Sequence, residues 1–359
     1  MIKIYSIVFF TSLILALITV PIIRWISIRY NLLDKPSERK LHKKAVPAIG
    51  GIGVAFACLL SITISYFIFH SQINEPTQRF IGLIIGAVTI CLLGVWDDLR
   101  SMNAPRKFSG QTVAVVIIIS SGFLVRELKL PYLDIVNLGW LGGAIFTAFW
   151  ITGIINTINF IDGMDGLAGG ISVIIAISFF LIAIFVGNYY MAVVCIAVTG
   201  SVLGFLRYNF HPASIFMGDC GAMFLGLVLS VVSISLLFQN PSPINASSVV
   251  SVLIFGLPVF DTTWAIIRRV RRRLSPFHPD NLHTHNKLMY LGFSQPKSAF
   301  ILYSVNILSA TSGIFIASIN SDLIAVILPI IMLAIALSGA LYLNKEMKSR
   351  GLIKENWWL

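Results

Sequence analysis

Apolar residues in this chain come in long runs separated by short polar stretches. Runs near 20 residues, enough for a helix to cross a hydrocarbon core of about 30 Å, recur from end to end. Spans are predicted near 4–24, 49–69, 80–96, 112–125, 139–158, 170–187, 189–206, 222–238, 247–265, 299–319 and 323–343, eleven in all. The fourth is short, and little more than Gly187-Asn188 separates the sixth from the seventh. The first run, Ile4 to Ile23, is too long for a signal-peptide core and has no small-residue cleavage site behind it, so a retained helix is expected.

Composition agrees with that pattern. Of 359 residues, 57% are hydrophobic and 11% charged, against about 25% charged in soluble domains. An ordinary soluble protein is excluded. The net charge of +11 suits either nucleic acid or a membrane surface, and its placement decides. All but four of the 26 Lys and Arg residues (Lys3, Arg79, Arg126 and Lys129) fall in loops after odd-numbered spans or in the C-terminal tail. The positive-inside rule then puts the N-terminus outside and the C-terminus in the cytoplasm, and no nucleic-acid partner is expected. The expected fold is an all-α polytopic integral membrane protein, one transmembrane domain over 1–359, with a cytoplasmic loop at 266–298. Cys58, Cys91, Cys195 and Cys220 show neither metal spacing nor a disulfide framework.

The acidic residues sort the same way. Asp97, Asp98, Asp162, Asp165, Asp219 and Asp261 all fall at or just inside predicted cytoplasmic helix ends, where carboxylates are costly and are candidates for function. Capping and solvated loop charge explain any one of them better than the whole set.

Five segments at that face carry the candidate chemistry. Asp34 to Lys44, with His42, Lys43 and Lys44, leads to Gly50-Gly51; the segment reads equally as a topology signal or, through the glycines, as backbone amides approaching a phosphate. Asp97-Asp98 ends the third span, followed by Arg106 and Lys107. Two carboxylates at a helix C-terminus are locally unfavourable and attract a cation or proton. Asn156, Asn159, Asp162 and Asp165 recur every third residue before Gly166 and Gly169-Gly170. That spacing stacks them on one side of a helical turn, and oxygen ligands beside glycines suit Mg²⁺. Asn209-Phe210-His211-Pro212 precedes Gly218-Asp219-Cys220-Gly221, where Asp219 alone could be a helix cap. Finally, Arg268, Arg269 and Arg271–Arg273 lead to His283-Thr284-His285; without a companion Cys, phosphate contact fits better than structural zinc. Metal-binding oxygens, cations and polar donors on one face are the parts phosphoryl transfer needs.

In order and spacing, the segments D-x-P-x-x-R-K-x-H…P-x-x-G-G, D-D-x-x-x-M, N-x-x-N-F-I-D-G-x-D-G-L-A-G-G, F-M-G-D-x-G and H-x-H resemble the polyprenyl-phosphate N-acetylhexosamine-1-phosphate transferases, the MraY and WecA superfamily. The likeness covers nearly the whole chain, and the His283-Thr284-His285 pair is similar to the WecA/TagO branch. The resemblance implies eleven helices, no covalent cofactor, and Mg²⁺ or Mn²⁺ dependence. It implies transfer of a sugar-1-phosphate, GlcNAc-1-phosphate by base rate, from a UDP-N-acetylhexosamine to undecaprenyl phosphate in a bacterial cytoplasmic membrane, releasing UMP.

By the same resemblance Asn159 and Asp219 would ligate the metal, and Asp97, Asp98 and Asp162 would be catalytic. Asp165 would contact the uracil, with Asn156 beside it in the motif. Lys107, His283 and His285 would hold phosphate or sugar oxygens, and His42 and Lys43 would border the lipid phosphate. The sugar and the downstream polymer (O-antigen, teichoic acid or another) stay open. Gly82-x-x-x-Gly86 could pack helices within the chain or between the chains of a homodimer. A secondary transporter is the alternative, but its acids would sit near the midplane, with internal repeats. A CDP-alcohol phosphotransferase would need a more extended aspartate pattern in fewer helices.

Overall fold

The computed structural model describes residues 1–34, 45–73, 75–133, 135–238, 244–275 and 282–352. In chain order the helices are α1 (Ile2–Arg29), α2 (Gly51–Ile68), α3 (His70–Ile73), α4 (Thr77–Arg100), α5 (Ala104–Ser120), α6 (Gly139–Ile161), α7 (Leu167–Phe185), α8 (Tyr189–Asn209), α9 (Gly218–Ser233, continued as a π-helical turn, Ile234–Phe238), α10 (Ser247–Ile254), α11 (Gly256–Arg271), α12 (Thr284–Tyr290), α13 (Gln295–Ile319) and α14 (Asp322–Ser349). Two short antiparallel pairs join them, β1 (Leu33–Asp34) with β2 (Val46–Pro47) and β3 (Glu127–Leu128) with β4 (Val136–Asn137).

Every predicted span falls on helix, but the number of crossing helices differs from eleven. Among the described residues nine helices are long and apolar enough to cross a membrane, or ten if the bent pair α10–α11 is one span. The remainder is α5. Its 17 residues extend about 26 Å at 1.5 Å each, at the lower limit of about 17 residues for a crossing. It also lies earlier than 112–125. Asn103 accepts a hydrogen bond from the Arg106 N–H and Pro105 sits in the first turn, both N-terminal signals. Gly122, with φ of +97°, closes the other end.

The span expected over 247–265 is not straight. It turns by 82° between α10 and α11. A break within hydrocarbon must have its freed backbone groups satisfied by neighbours, and α13 does so. Leu257 N–H donates to Asn306 Oδ1 at 3.2 Å, and Ser309 Oγ donates to the Leu253 carbonyl at 2.7 Å. The bend points α11, with Asp261, back toward the end where the candidate residues gather.

At the centre stands α9, buried along its whole apolar stretch and packed against α2, α4 and α6. At the periphery, α1 and α14 are mostly exposed, as lipid-facing helices should be. Helical hydroxyls such as Ser61, Ser65 and Thr199 donate to carbonyls one turn back, which satisfies them without water. Gly82 and Gly86 serve packing within the chain: side chains there would meet Ser121 and Ile118.

Candidate active site

Adjacent residues on a helix point about 100° apart, and this separates the two aspartates ending α4. Asp97 faces α5: its Oδ1 accepts from the Met102 N–H at 2.6 Å, and its Oδ2 lies 2.9 Å from Lys107 Nζ. Asp98 faces α9, where Oδ1 accepts from the Asp219 N–H at 2.8 Å and Oδ2 from the Cys220 N–H at 3.1 Å. The first amides of a helix have no partner within it, so Asp98 caps α9 from another helix, matching the dipole with negative charge. Gly94 lets the two helices approach this closely, since a Cβ there would collide with the Cys220 backbone.

Four helices converge beyond that contact. Lys107 Nζ, from α5, lies 2.9 Å from Asp97 Oδ2, 3.0 Å from Asp219 Oδ2 and 3.3 Å from Asn159 Oδ1. Asn159 Nδ2 donates to Asp219 Oδ1 at 2.5 Å. Asp97 is buried, Asp219 has a side chain 29% exposed, and Lys107 lies between at 16%. The cradle therefore opens outward on the Asp219 side.

Of the two readings open for the segment before α2, the glycine amides do not support the phosphate one. The N–H groups of Gly50 and Gly51 donate to the carbonyls of Phe216 and Met217 at 3.0 and 2.8 Å, and Phe216 N–H donates to the Pro47 carbonyl at 2.8 Å. With their amides engaged, they hold the loop before α9 instead of facing a phosphate. Gly218, at φ of +71°, completes the turn, because a Cβ there would strike the Ala48 carbonyl.

The four residues spaced by three do not form one stack. The helical geometry ends at Ile161, so only Asn156 and Asn159 share a helical face. Asn156 exchanges amide hydrogen bonds with Gln111 of α5 at 2.9 and 3.4 Å and also donates to the Thr152 carbonyl, one turn behind the cradle. Asp162 follows the helix end; burial, then the negative charges of Asp219 and Asp165, push its carboxyl up to about 7. Asp165 turns toward the loop after α8. Its Oδ2 meets His211 Nδ1 at 2.7 Å and accepts from the Ala213 N–H at 3.1 Å. Gly166 N–H donates to Asn209 Oδ1 at 3.0 Å, and Tyr303 of α13 donates to the Gly166 carbonyl at 2.6 Å.

His283 and His285 close the other side. Their rings stack with centroids 5.8 Å apart, and His283 lies 5.9 Å from the Phe160 ring. Gly163 abuts the His285 imidazole, where any side chain would collide. Burial pushes His285 down to about 4, so it is neutral near pH 7. The His-x-His segment thus packs on the turn after Asn159. His42, Lys43 and Lys44 lie outside the described residues.

The family model described as glycosyl transferase family 4 matches residues 80–237. A probable undecaprenyl-phosphate N-acetylglucosaminyl 1-phosphate transferase of Bacillus subtilis is 35% identical over 343 residues, 95% of this chain and 93% of the relative. The chain belongs to this glycosyl transferase family. A decaprenyl-phosphate N-acetylglucosaminephosphotransferase of Mycolicibacterium smegmatis is 31% identical over 78% of the chain and 74% of its own length. The undecaprenyl-phosphate alpha-N-acetylglucosaminyl 1-phosphate transferase of Escherichia coli K12 is 28% identical over 79% and 75%.

The donor set of this transferase suits a hard divalent cation. Asp97, Asp219 and Asn159 supply oxygens only, and the Lys107 ammonium already draws them around a positive charge. Sequence reasoning included Asp261 among the acids but gave it no place in the site, and His211, Asn209 and Tyr303 had no role. Their partners lie 22 to 137 residues away in the chain, and no local spacing marks such pairs.

Proposed function

We propose that this membrane enzyme transfers N-acetylglucosamine-1-phosphate from UDP-N-acetylglucosamine to undecaprenyl phosphate, releasing UMP. The observation that carries this is the convergence of Asp97, Lys107, Asn159 and Asp219 from four helices, in a chain similar over 95% of its length to a probable transferase of that name. Asn159 and Asp219, with Asp97 beside them, would hold a Mg²⁺ ion. When bound, it would neutralise charge on the donor's diphosphate.

An oxygen of the lipid phosphate attacks the sugar-bearing phosphorus of the donor, and the bond from that phosphorus to the oxygen bridging to UMP breaks. A phosphate monoester, with a second pKa of about 6, is largely ionised near neutrality and needs little help from a base. Direct transfer is favoured over a two-step route through a phosphorylated Asp98 or Asp97, because both Asp98 oxygens accept backbone N–H groups and Asp97 is held by Met102 and Lys107. Lys107, His283 and His285 would meet phosphate or sugar oxygens, and Asp165, bonded to His211, would contact the uracil. The site shares its end of the bundle with Arg100, Arg106, Arg207 and the α11 arginines. That supports a cytoplasmic active site, an external N-terminus and a place in the bacterial inner membrane.

The test is an assay in detergent with radiolabelled UDP-GlcNAc, undecaprenyl phosphate and Mg²⁺, run beside Asp219→Ala and an EDTA control. Labelled lipid and UMP, both lost in the controls, are expected. Label that stays in the aqueous phase with every UDP-N-acetylhexosamine offered, while the protein is folded, would overturn the proposal.

A further inference from the structure

We propose that Asp261 is a positioning residue: it accepts the Nδ1–H of His283 and fixes the ring so that its Nε2 edge is turned to the donor's diphosphate. The inference rests on the transferase activity proposed above. Asp261 sits on α11 beyond the 82° bend and is 6% exposed. Its carboxylate has three contacts with the His-x-His segment. Oδ2 lies 2.6 Å from His283 Nδ1, and Oδ1 accepts from the Thr284 N–H at 2.8 Å and the Thr284 hydroxyl at 2.5 Å.

An ionised carboxylate only accepts hydrogen bonds, so the short contact to Nδ1 requires the proton on that nitrogen. The other ring nitrogen then remains for a ligand; a phosphate oxygen only accepts, so contact there requires that Nε2 carry a proton too, with the carboxylate and the diphosphate on opposite edges of the ring. Ring orientation is fixed as well. His283 stacks on His285 with 7° between planes and leans on Phe160, the residue after Asn159 in the metal cradle. Arg269, also of α11, lies 5.8 Å from the same Phe160 ring. One helix thus brings a carboxylate and a cation to the two sides of an aromatic contact next to Asn159.

A purely structural latch would have the same three contacts, so the test must separate the roles. Asp261→Asn keeps shape and can keep hydrogen bonds, but its neutral amide supplies no negative charge to balance a ring that holds a proton on each nitrogen. Thr284→Val removes a latch bond and leaves the Asp261–His283 contact intact. Both are measured with His283→Ala and the double variant Asp261→Asn/His283→Ala, using purified full chain, UDP-GlcNAc and undecaprenyl phosphate.

In Asp261→Asn, kcat/KM for the donor is expected to fall at least about tenfold, with KM for the lipid phosphate and the unfolding temperature unchanged. The double variant should lose no more than His283→Ala alone, because the two residues act as one unit. Thr284→Val should lower the unfolding temperature and leave donor kcat/KM near wild type. Wild-type kinetics in Asp261→Asn, losses that multiply in the double variant, or a Thr284→Val loss equal to that of Asp261→Asn would overturn the inference. Should Asp261→Asn fail to fold, an active Thr284→Val supports it and an inactive one overturns it. A wild type that forms no labelled lipid would instead remove the activity on which it rests.

Discussion

Removing the Asp98 carboxylate tests how the site is held together. Asp98→Ala leaves the N–H groups of Asp219 and Cys220 without their acceptor at a largely buried helix end. A buried donor left unsatisfied costs about 1–3 kcal/mol, so the two together cost about 2–6 kcal/mol of stability. The loss falls on the backbone of Asp219 itself. If about 3 kcal/mol of it is expressed in the placement of that side chain, turnover falls by about two orders of magnitude. Asp98→Asn, which can accept from one amide but turns an NH₂ toward the other, should fall between. Thermal unfolding of the purified variants and the labelled-lipid assay measure the two effects side by side. Stability and rate should fall together. An Asp98→Ala protein that unfolds at the wild-type temperature but has lost turnover would refute the capping argument and return Asp98 to the chemistry.

Two further outcomes follow from packing and protonation. Gly51→Ala should destabilise the protein by about 1–3 kcal/mol and reduce activity, because the new methyl would fall on the Gly221 backbone, two residues past Asp219. Gly153→Ala, with open space around it, should be neutral or slightly stabilising, and equal unfolding temperatures for the two variants would contradict the close approach of α2 and α9. Burial outweighs the pull of Asp261 and, with His283 near, lowers His285 from 6.5 to about 4. The native state then binds fewer protons than the unfolded state between those values, so stability is lost as pH falls from about 6.5 to 4, by about 3 kcal/mol. His285→Gln should flatten that part of the unfolding profile; an unchanged slope would show that His285 is not the group responsible.

Much of the architecture was legible in the sequence because hydrocarbon imposes a one-dimensional rule. A span must be apolar for about 20 residues, and every predicted span falls on helix. Where that rule weakens, the sequence misled. The α5 helix begins eight residues before the expected span, because capping by Asn103 and Pro105, not hydrophobicity, fixes its start. The 82° bend before Gly256 was hidden because its satisfaction comes from Asn306 and Ser309 on another helix.

The site divides the same way. Asp97, Lys107, Asn159 and Asp219 stood among the candidates by residue type and by resemblance, and the structure brings these four side chains together. Which of two adjacent aspartates faces the cradle and which caps α9 was decided by helix rotation against α9, where Gly94 allows contact. Nor could spacing tell that Asn156 bonds Gln111, that Asp165 meets His211, or that Asp261 holds His283. Those pairings depend on which helix ends the bundle brings together, and hydrogen bonds act over about 3 Å of space whatever the distance along the chain.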